Sequence, residues 1–218
     1  YNETIIDDNK KNLIINLKDT EKFYIDKVNI FGNTITSEHV LRNKLLADEG
    51  DPFNEILVNK SHNNLRTLNI FKSVDLEVDT FNDKKLKTIN IRVEEKPTGE
   101  IFAGAGTGTS GSSLSFGINE NNYKGEGVKL GTNIAITEES LTGRIFLNEP
   151  NYKNTHRSFK RGFERIQDDK LSTFGYKTEK TGFTLGTSYE QYKDIFFSPT
   201  ITNYYESITT NSKASTAK

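Results

Sequence analysis

The hydrophobic positions of this chain change their period near residue 98. Before it, apolar residues fall into two helical and several strand-like patterns. Residues 13–17 predict the last strand of a preceding unit, and residues 23–30 open a new one, with Tyr24, Val28 and Ile30 among its apolar positions. Phe31-Gly32-Asn33 turns the chain. Ser37 precedes Val40, Leu41, Leu45 and Leu46, which share one face of a helix that Ser37 caps and that is expected to end near Asp48-Glu49-Gly50. After Asp51-Pro52-Phe53, Asn54 caps a second predicted helix carrying Ile56, Leu57, Leu65 and Leu68. Val74, Leu76 and Val78 alternate, as do Ile89, Ile91 and Val93, which predicts two strands turning near Phe81-Asn82-Asp83. Residues 22–97 therefore form an α+β unit in the order β-α-α-β-β.

Beyond the joint the period is two. Leu114, Phe116 and Ile118 alternate with small or polar residues, and Val128, Leu130, Ile134 and Ile136 do the same; Leu141, Ile145 and Leu147 continue the register. One face suits hydrocarbon and the other suits water. Strands are predicted at 99–108, 112–120, 127–136, 141–149, 157–167, 176–189 and 194–208, with Pro199 marking an edge or bulge in the last. Strands of this length with polar connections favour a transmembrane barrel over a soluble sandwich. Seven strands do not close an ordinary bacterial barrel, so the rest of it is expected outside the chain.

Composition sharpens this division. Of 16 glycines, only Gly32 and Gly50 precede position 99, whereas ten fall between Gly99 and Gly143. Lys96-Pro97-Thr98-Gly99 is the natural joint, because proline cannot donate to a ladder and glycine frees the backbone. A net charge of −1 with 27% charged residues exerts no global pull on nucleic acid. The longest aliphatic or aromatic runs, Leu13-Ile14-Ile15 and Ile195-Phe196-Phe197, are too short for a transmembrane helix, a test to which barrel strands are blind. The absence of cysteine removes disulfides and thiolate chemistry. His39, His62 and His156 lie in unrelated segments without metal or triad spacing, so no catalytic site and no cofactor is expected. The chain starts on Tyr1 without a signal segment and reads as an internal piece of a longer protein.

Gly106-Thr107-Gly108-Thr109-Ser110-Gly111 has the glycine spacing of a dinucleotide loop, but a strand pattern follows it where a helix N-terminus would be needed. Ile101 to Thr109 instead reads as a strand with Gly104, Gly106 and Gly108 on one face. Such a strand is weakly held, each glycine costing about 0.5–1 kcal/mol against alanine; glycines that make room in a crowded lumen are the alternative reading. Asp48-Glu49, expected at a helix C-terminus, would oppose the macrodipole by about 0.3–1 kcal/mol.

The strand-helix-helix-strand-strand order, with Ile30-Phe31-Gly32-Asn33 and Asn69-Ile70-Phe71-Lys72-Ser73-Val74, resembles the POTRA (polypeptide-transport-associated) module. In place of a glycine common before the aromatic, Asn69 supplies a left-handed cap. The run from Gly117 to Gly127, with Asn122, Tyr123, Gly125 and Gly127, resembles the second strand and first periplasmic turn of BamA-type outer-membrane assembly factors, and Glu149-Pro150-Asn151-Tyr152 resembles their turn after the fourth strand. Arg161-Gly162-Phe163 matches a late-loop motif of these families but stands only about five strands in, so the match is read as accidental.

The resemblance implies residues 1–20 as the end of a preceding POTRA domain, 22–97 as the last one before the barrel, and 98–218 as the barrel's first strands. It implies an outer-membrane protein with its POTRA domain in the periplasm, which assembles and inserts unfolded β-barrel clients without cofactor. The lateral gate would be the first strand, Ile101, Phe102, Ala103, Gly104, Ala105, Gly106, Thr107 and Gly108. Arg42 and Glu49 would dock an accessory lipoprotein of an assembly complex, a solvated surface pair being the alternative, and the barrel would contact outer-membrane lipid. A TamA-type factor or a two-partner secretion pore shares these parts; a passive channel or receptor has no obvious use for the POTRA module.

Overall fold

The computed structural model describes residues 2–7, 10–14, 21–108 and 111–214. Strands β1 (Asn2–Asp7) and β2 (Lys10–Ile14) pair antiparallel. The strand expected over 13–17 thus coincides with β2 only at its start, and residues 15–17 lie outside the described residues.

The unit that follows has β3 (Tyr24–Phe31), α1 (Glu38–Arg42), α2 (Glu55–Thr67), β4 (Phe71–Phe81) and β5 (Leu86–Glu95). Its sheet runs β3-β5-β4, with β3 parallel and β4 antiparallel to β5. Ile25, Leu41, Leu65, Ile70 and Ile91 are completely enclosed between sheet and helices. Asn54 caps α2 as its position predicts, accepting from the amides of Ile56 and Leu57 at 2.9 and 3.3 Å. Asn69 takes the expected left-handed conformation after α2 (φ 59°).

Three expectations need correction here. Helix α1 stops at Arg42, not near residue 48, because α2 captures the backbone beyond it: Ser61 Oγ accepts from the Leu46 amide at 2.8 Å and Asn64 donates to the Lys44 carbonyl at 3.2 Å. Asp48 and Glu49 therefore lie in a turn and oppose no helix dipole. Ser37 makes no capping bond; its hydroxyl donates to Glu126 of the second unit at 2.8 Å. The buried stripe of α2 is Val58, Ser61 and Leu65, while Ile56 is exposed, since two residues back from Val58 lies the opposite side of the helix.

After the joint come β6 (Gly99–Gly108), β7 (Gly111–Tyr123), β8 (Val128–Thr137), β9 (Ser140–Glu149), β10 (Ser158–Lys170) and β11 (Tyr176–Tyr192), each antiparallel to the next. The last predicted strand is divided at Ser198-Pro199 into β12 (Ile195–Phe197) and β13 (Thr200–Thr210), both paired with β11. Register sets Phe116 opposite Ile134, and Leu130 opposite Leu147, so the apolar residues of neighbouring strands meet on one face. Gly111 opens β7 directly, which leaves no helix N-terminus for a nucleotide. Arg161-Gly162-Phe163 sits inside β10, with Arg161 3.4 Å from Glu149. Among the described residues no helix is long and apolar enough to cross a membrane.

Candidate functional site

The first strand and the joint below it form one connected construction. β6 pairs with β7 along its whole length, from Gly99 opposite Glu120 to Gly108 opposite Gly111, and has no second neighbour among the described residues. Ile101, Ala103, Ala105 and Thr107 share the face of Ile118 and Phe116, whereas Phe102, Gly104, Gly106 and Gly108 share the other. The hold of β7 on β6 is graded along that second face. The Phe102 ring lies on Gly117, where even a Cβ would come within 2.0 Å of it. Gly104 and Gly106 meet only the hydroxyls of Ser115 and Ser113. The strand is gripped at its foot and loosely faced at its far end.

The foot is tied to the POTRA-like unit twice. Glu120 accepts from the Thr98 hydroxyl and, at 2.7 Å, from the Asn122 amide, while the Asn121 amide donates to the Thr98 carbonyl at 3.3 Å. On the other side of the joint, the Lys96 ammonium donates to Asn69 at 2.7 Å and its amide to Ile70 at 3.2 Å. Pro97-Thr98-Gly99 is thus a strapped joint.

The turn after β7 docks onto the segment that leads into α1. Asn122, only 7% exposed, donates to Thr36 Oγ1 at 2.9 Å and accepts from the Gly127 amide at 2.8 Å. Gly125 accepts from the Ser37 amide at 2.8 Å, and its positive φ of 76° brings it so near Ile35 that a Cβ would lie 2.1 Å from the carbonyl oxygen. Glycine is required there for both reasons. Glu126 adds Ser37 and, at 3.1 Å, His39.

Glu95 fixes the docking segment itself. Its carboxylate accepts from the amides of Thr34, Ile35 and Thr36 and from the Thr34 hydroxyl at 2.7–3.0 Å. Burial alone would raise its pKa, but these donors outweigh it and hold the carboxyl well below the usual range, at about 2.

Arg42 and Glu49 are brought together, 3.7 Å apart, but on the edge of β3. Glu49 accepts from the Val28 amide and Arg42 donates to the Val28 carbonyl, each at 3.1 Å. Residues 50–53 bond to the same edge through Ile25 and Phe23. β3 is therefore covered, and β4 carries the freer edge of the sheet. Tyr123 lies on the apolar face of the second sheet opposite Val128, half turned to solvent. Sequence reasoning missed Glu95, Glu120, Glu126 and Thr36. The signal for Glu126 was a charge between two turn glycines and that for Glu120 its place two residues before Asn122, whereas Glu95 and Thr36 lack any local pattern because their side-chain partners are distant in sequence.

Residues 23–96 match the POTRA family model, described as surface antigen variable number repeat. Fold and joint together define the class: a POTRA domain docked under the opening strands of a barrel-type antiparallel sheet. Within that class the chain is similar to BamA proteins. It is 27% identical over 186 residues to the outer membrane protein assembly factor BamA of Buchnera aphidicola, across 79% of this chain and 30% of that protein. The crystal structure of BamA from Haemophilus ducreyi lacking POTRA domains 1–3 matches with a TM-score of 0.72 at 22% identity, over 86% of this chain and 36% of that one. CdiB from Acinetobacter baumannii matches with a TM-score of 0.59 at 14% identity, over 88% and 39%. The chain thus spans about a third of the length of these proteins.

Proposed function

We propose that this chain is part of a factor that assembles and inserts β-barrel proteins in the bacterial outer membrane. Residues 1–20 would end a preceding POTRA domain, 22–97 would lie in the periplasm, and 98–218 would begin the barrel. The observation that carries this reading is β6, a strand with one paired edge, anchored at its foot to a POTRA domain and loosely faced at its far end.

In a closed barrel the other edge of β6 faces the last strand. Hydrocarbon cannot satisfy free amides and carbonyls, so that edge, once opened, is costly until another strand pairs with it. An unfolded client strand meets the need by strand addition. The contrast between Phe102 on Gly117 and the small contacts of Gly104 and Gly106 favours opening from the 104–108 end, with the foot held by Glu120 and Thr98. The edge of β4 offers extended clients the same kind of pairing before they reach the sheet.

An accessory lipoprotein would dock beside Arg42 and Glu49, whose side chains remain 36% and 46% exposed while capping Val28. Charge reversal, Glu49→Arg, should then reduce co-purification of that partner; unchanged recovery overturns this part. The likeness to CdiB is compatible with a related POTRA-barrel translocase, but the higher TM-score with BamA favours assembly.

This chain has no cysteine of its own, so a disulfide engineered between Ala103 and the barrel's last strand, in full-length protein with any cysteine elsewhere replaced, would be a clean lock. Locked protein in proteoliposomes should fail to insert an unfolded barrel client and recover on reduction. Insertion at the normal rate under oxidation would overturn the gate.

A further inference from the structure

We propose that the cleft between the POTRA domain and the feet of β7 to β10 binds the phosphate of an anionic phospholipid, in the leaflet facing that domain. The proposal rests on the reading that the apolar face of the sheet meets hydrocarbon.

The cleft holds about 410 Å³, within the range of small-molecule sites. Its upper wall includes Tyr123, Val128 and Leu147. Cross-strand register places these on the same face as the exposed Phe116 and Ile134, so the wall continues that face, with Leu130 and Ile145 between them and Glu120 and Thr132 as its polar positions. Its lower side is cationic: Lys44 from the POTRA domain and Lys124, Lys153 and Arg161 from the sheet. Against these four stand two carboxylates, Glu126 and Glu149, a net charge of +2. Both are engaged, Glu149 with Arg161 at 3.4 Å and Glu126 with Ser37 and His39. Lys44, Lys124 and Lys153 form no salt bridge among the described residues. Burial, and then the charge of Lys129, lowers the pKa of Lys44, as expected of an ammonium short of a counter-ion.

A second observation comes from the turns. Asn122-Tyr123-Lys124-Gly125, Asn151-Tyr152-Lys153-Asn154 and Gln191-Tyr192-Lys193-Asp194 repeat one pattern at successive turns on the POTRA side. Lys124 and Lys153 both adopt left-handed backbone (φ 59° and 52°), where a long side chain is disfavoured and glycine or asparagine would fit. Each ammonium lies about 5.5 Å from the ring of the preceding tyrosine. At the opposite end of the sheet the one comparable pair, Tyr176-Lys177, opens β11, and its ammonium is bridged to Glu179 at 2.9 Å. Amines held against local preference, beside aromatic rings and below an apolar wall, suit a headgroup phosphate with its acyl chains lying up the sheet. A free anion would leave Tyr123, Val128 and Leu147 unused.

The test is native mass spectrometry of the full-length protein in detergent micelles, titrated separately with phosphatidylglycerol and phosphatidylcholine, and with inorganic phosphate as competitor. Phosphatidylglycerol should be retained at least tenfold better than phosphatidylcholine and resist millimolar phosphate. The double variant Lys124→Gln/Lys153→Gln should remove the preference, and Lys213→Gln at the opposite end should keep it. Lys124→Gly/Lys153→Gly should lose the preference with an undiminished thermal midpoint, because glycine suits both positions. Equal retention of the two lipids, unchanged retention in the double variants, or displacement by phosphate overturns the proposal. A barrel that shows heat-modifiable migration yet no lipid preference rejects this site alone; a protein extracted without detergent rejects the membrane reading with it.

Discussion

Ile25, Leu41, Leu65 and Ile91 of the POTRA domain are enclosed, whereas Ile101, Phe116, Ile134 and Phe163 of the following sheet keep 84%, 50%, 49% and 48% of their surface exposed. The residue types are the same and their surroundings differ. In the first region helices cover the apolar face of the sheet. In the second, cross-strand register gathers apolar residues on one face and nothing among the described residues covers them. A contiguous apolar face of this extent marks a surface meant for a non-aqueous neighbour. Burial is thus achieved by packing in one region and, on the proposed reading, left to the membrane in the other.

The largest effects should come from mutations that break this contrast. Leu65→Ala should cost the POTRA domain about 2–5 kcal/mol through lost burial and a cavity, read by urea unfolding with a probe in that domain. Ile134→Arg should leave that transition unchanged but destabilise the membrane-inserted barrel by about 2–4 kcal/mol. If the sheet faced water, an arginine at so exposed a position would instead stay within about 0.5 kcal/mol.

The docking of the two regions comes next in size. Asn122→Ala strands the Gly127 amide and the Thr36 hydroxyl in a buried contact, at a cost of about 1–3 kcal/mol. Spin labels on the POTRA domain and the barrel should then give a broader distance distribution, and an unchanged one would show that this contact does not set their orientation.

Glu95 supplies a pH dependence. Its pKa is depressed from the ordinary 4.5 to about 2 in the folded protein, so its contribution is complete above about pH 4.5 and is lost as pH falls through about 2. Hydrogen exchange at Thr34, Ile35 and Thr36, corrected for intrinsic rates, should accelerate over that window. In Glu95→Gln it should already be fast at neutral pH and insensitive to acid. The smallest effect is expected for Glu49→Ala, about 1 kcal/mol or less, seen as faster exchange at Val28, because water can replace a half-exposed carboxylate.

Much of this was legible in the sequence where the determinant is local. Strand periods, the Asn54 cap, the left-handed Asn69 and the Pro199 interruption all follow from residues acting on their own backbone. The length of α1 did not, because Ser61 and Asn64 on another helix take over the backbone beyond it. Ser37 failed as a cap for a related reason: Glu126, 89 residues away, accepts its hydroxyl. The candidate gate strand was visible as glycines on one face, but the grip of Phe102 on Gly117 depends on cross-strand register. Arg42 and Glu49 stood out as charges, and their engagement by Val28 required the fold.

The central claim is that β6 receives client strands along its free edge, and site-specific photocrosslinking tests it most directly. A photoreactive residue at Ala105 in the full-length protein, during assembly of a stalled barrel client, should crosslink to one terminal strand of that client in fixed register, with the partner residue shifting by two when the probe moves to Ala103. Crosslinks confined to the protein's own last strand while clients insert at the normal rate would contradict it.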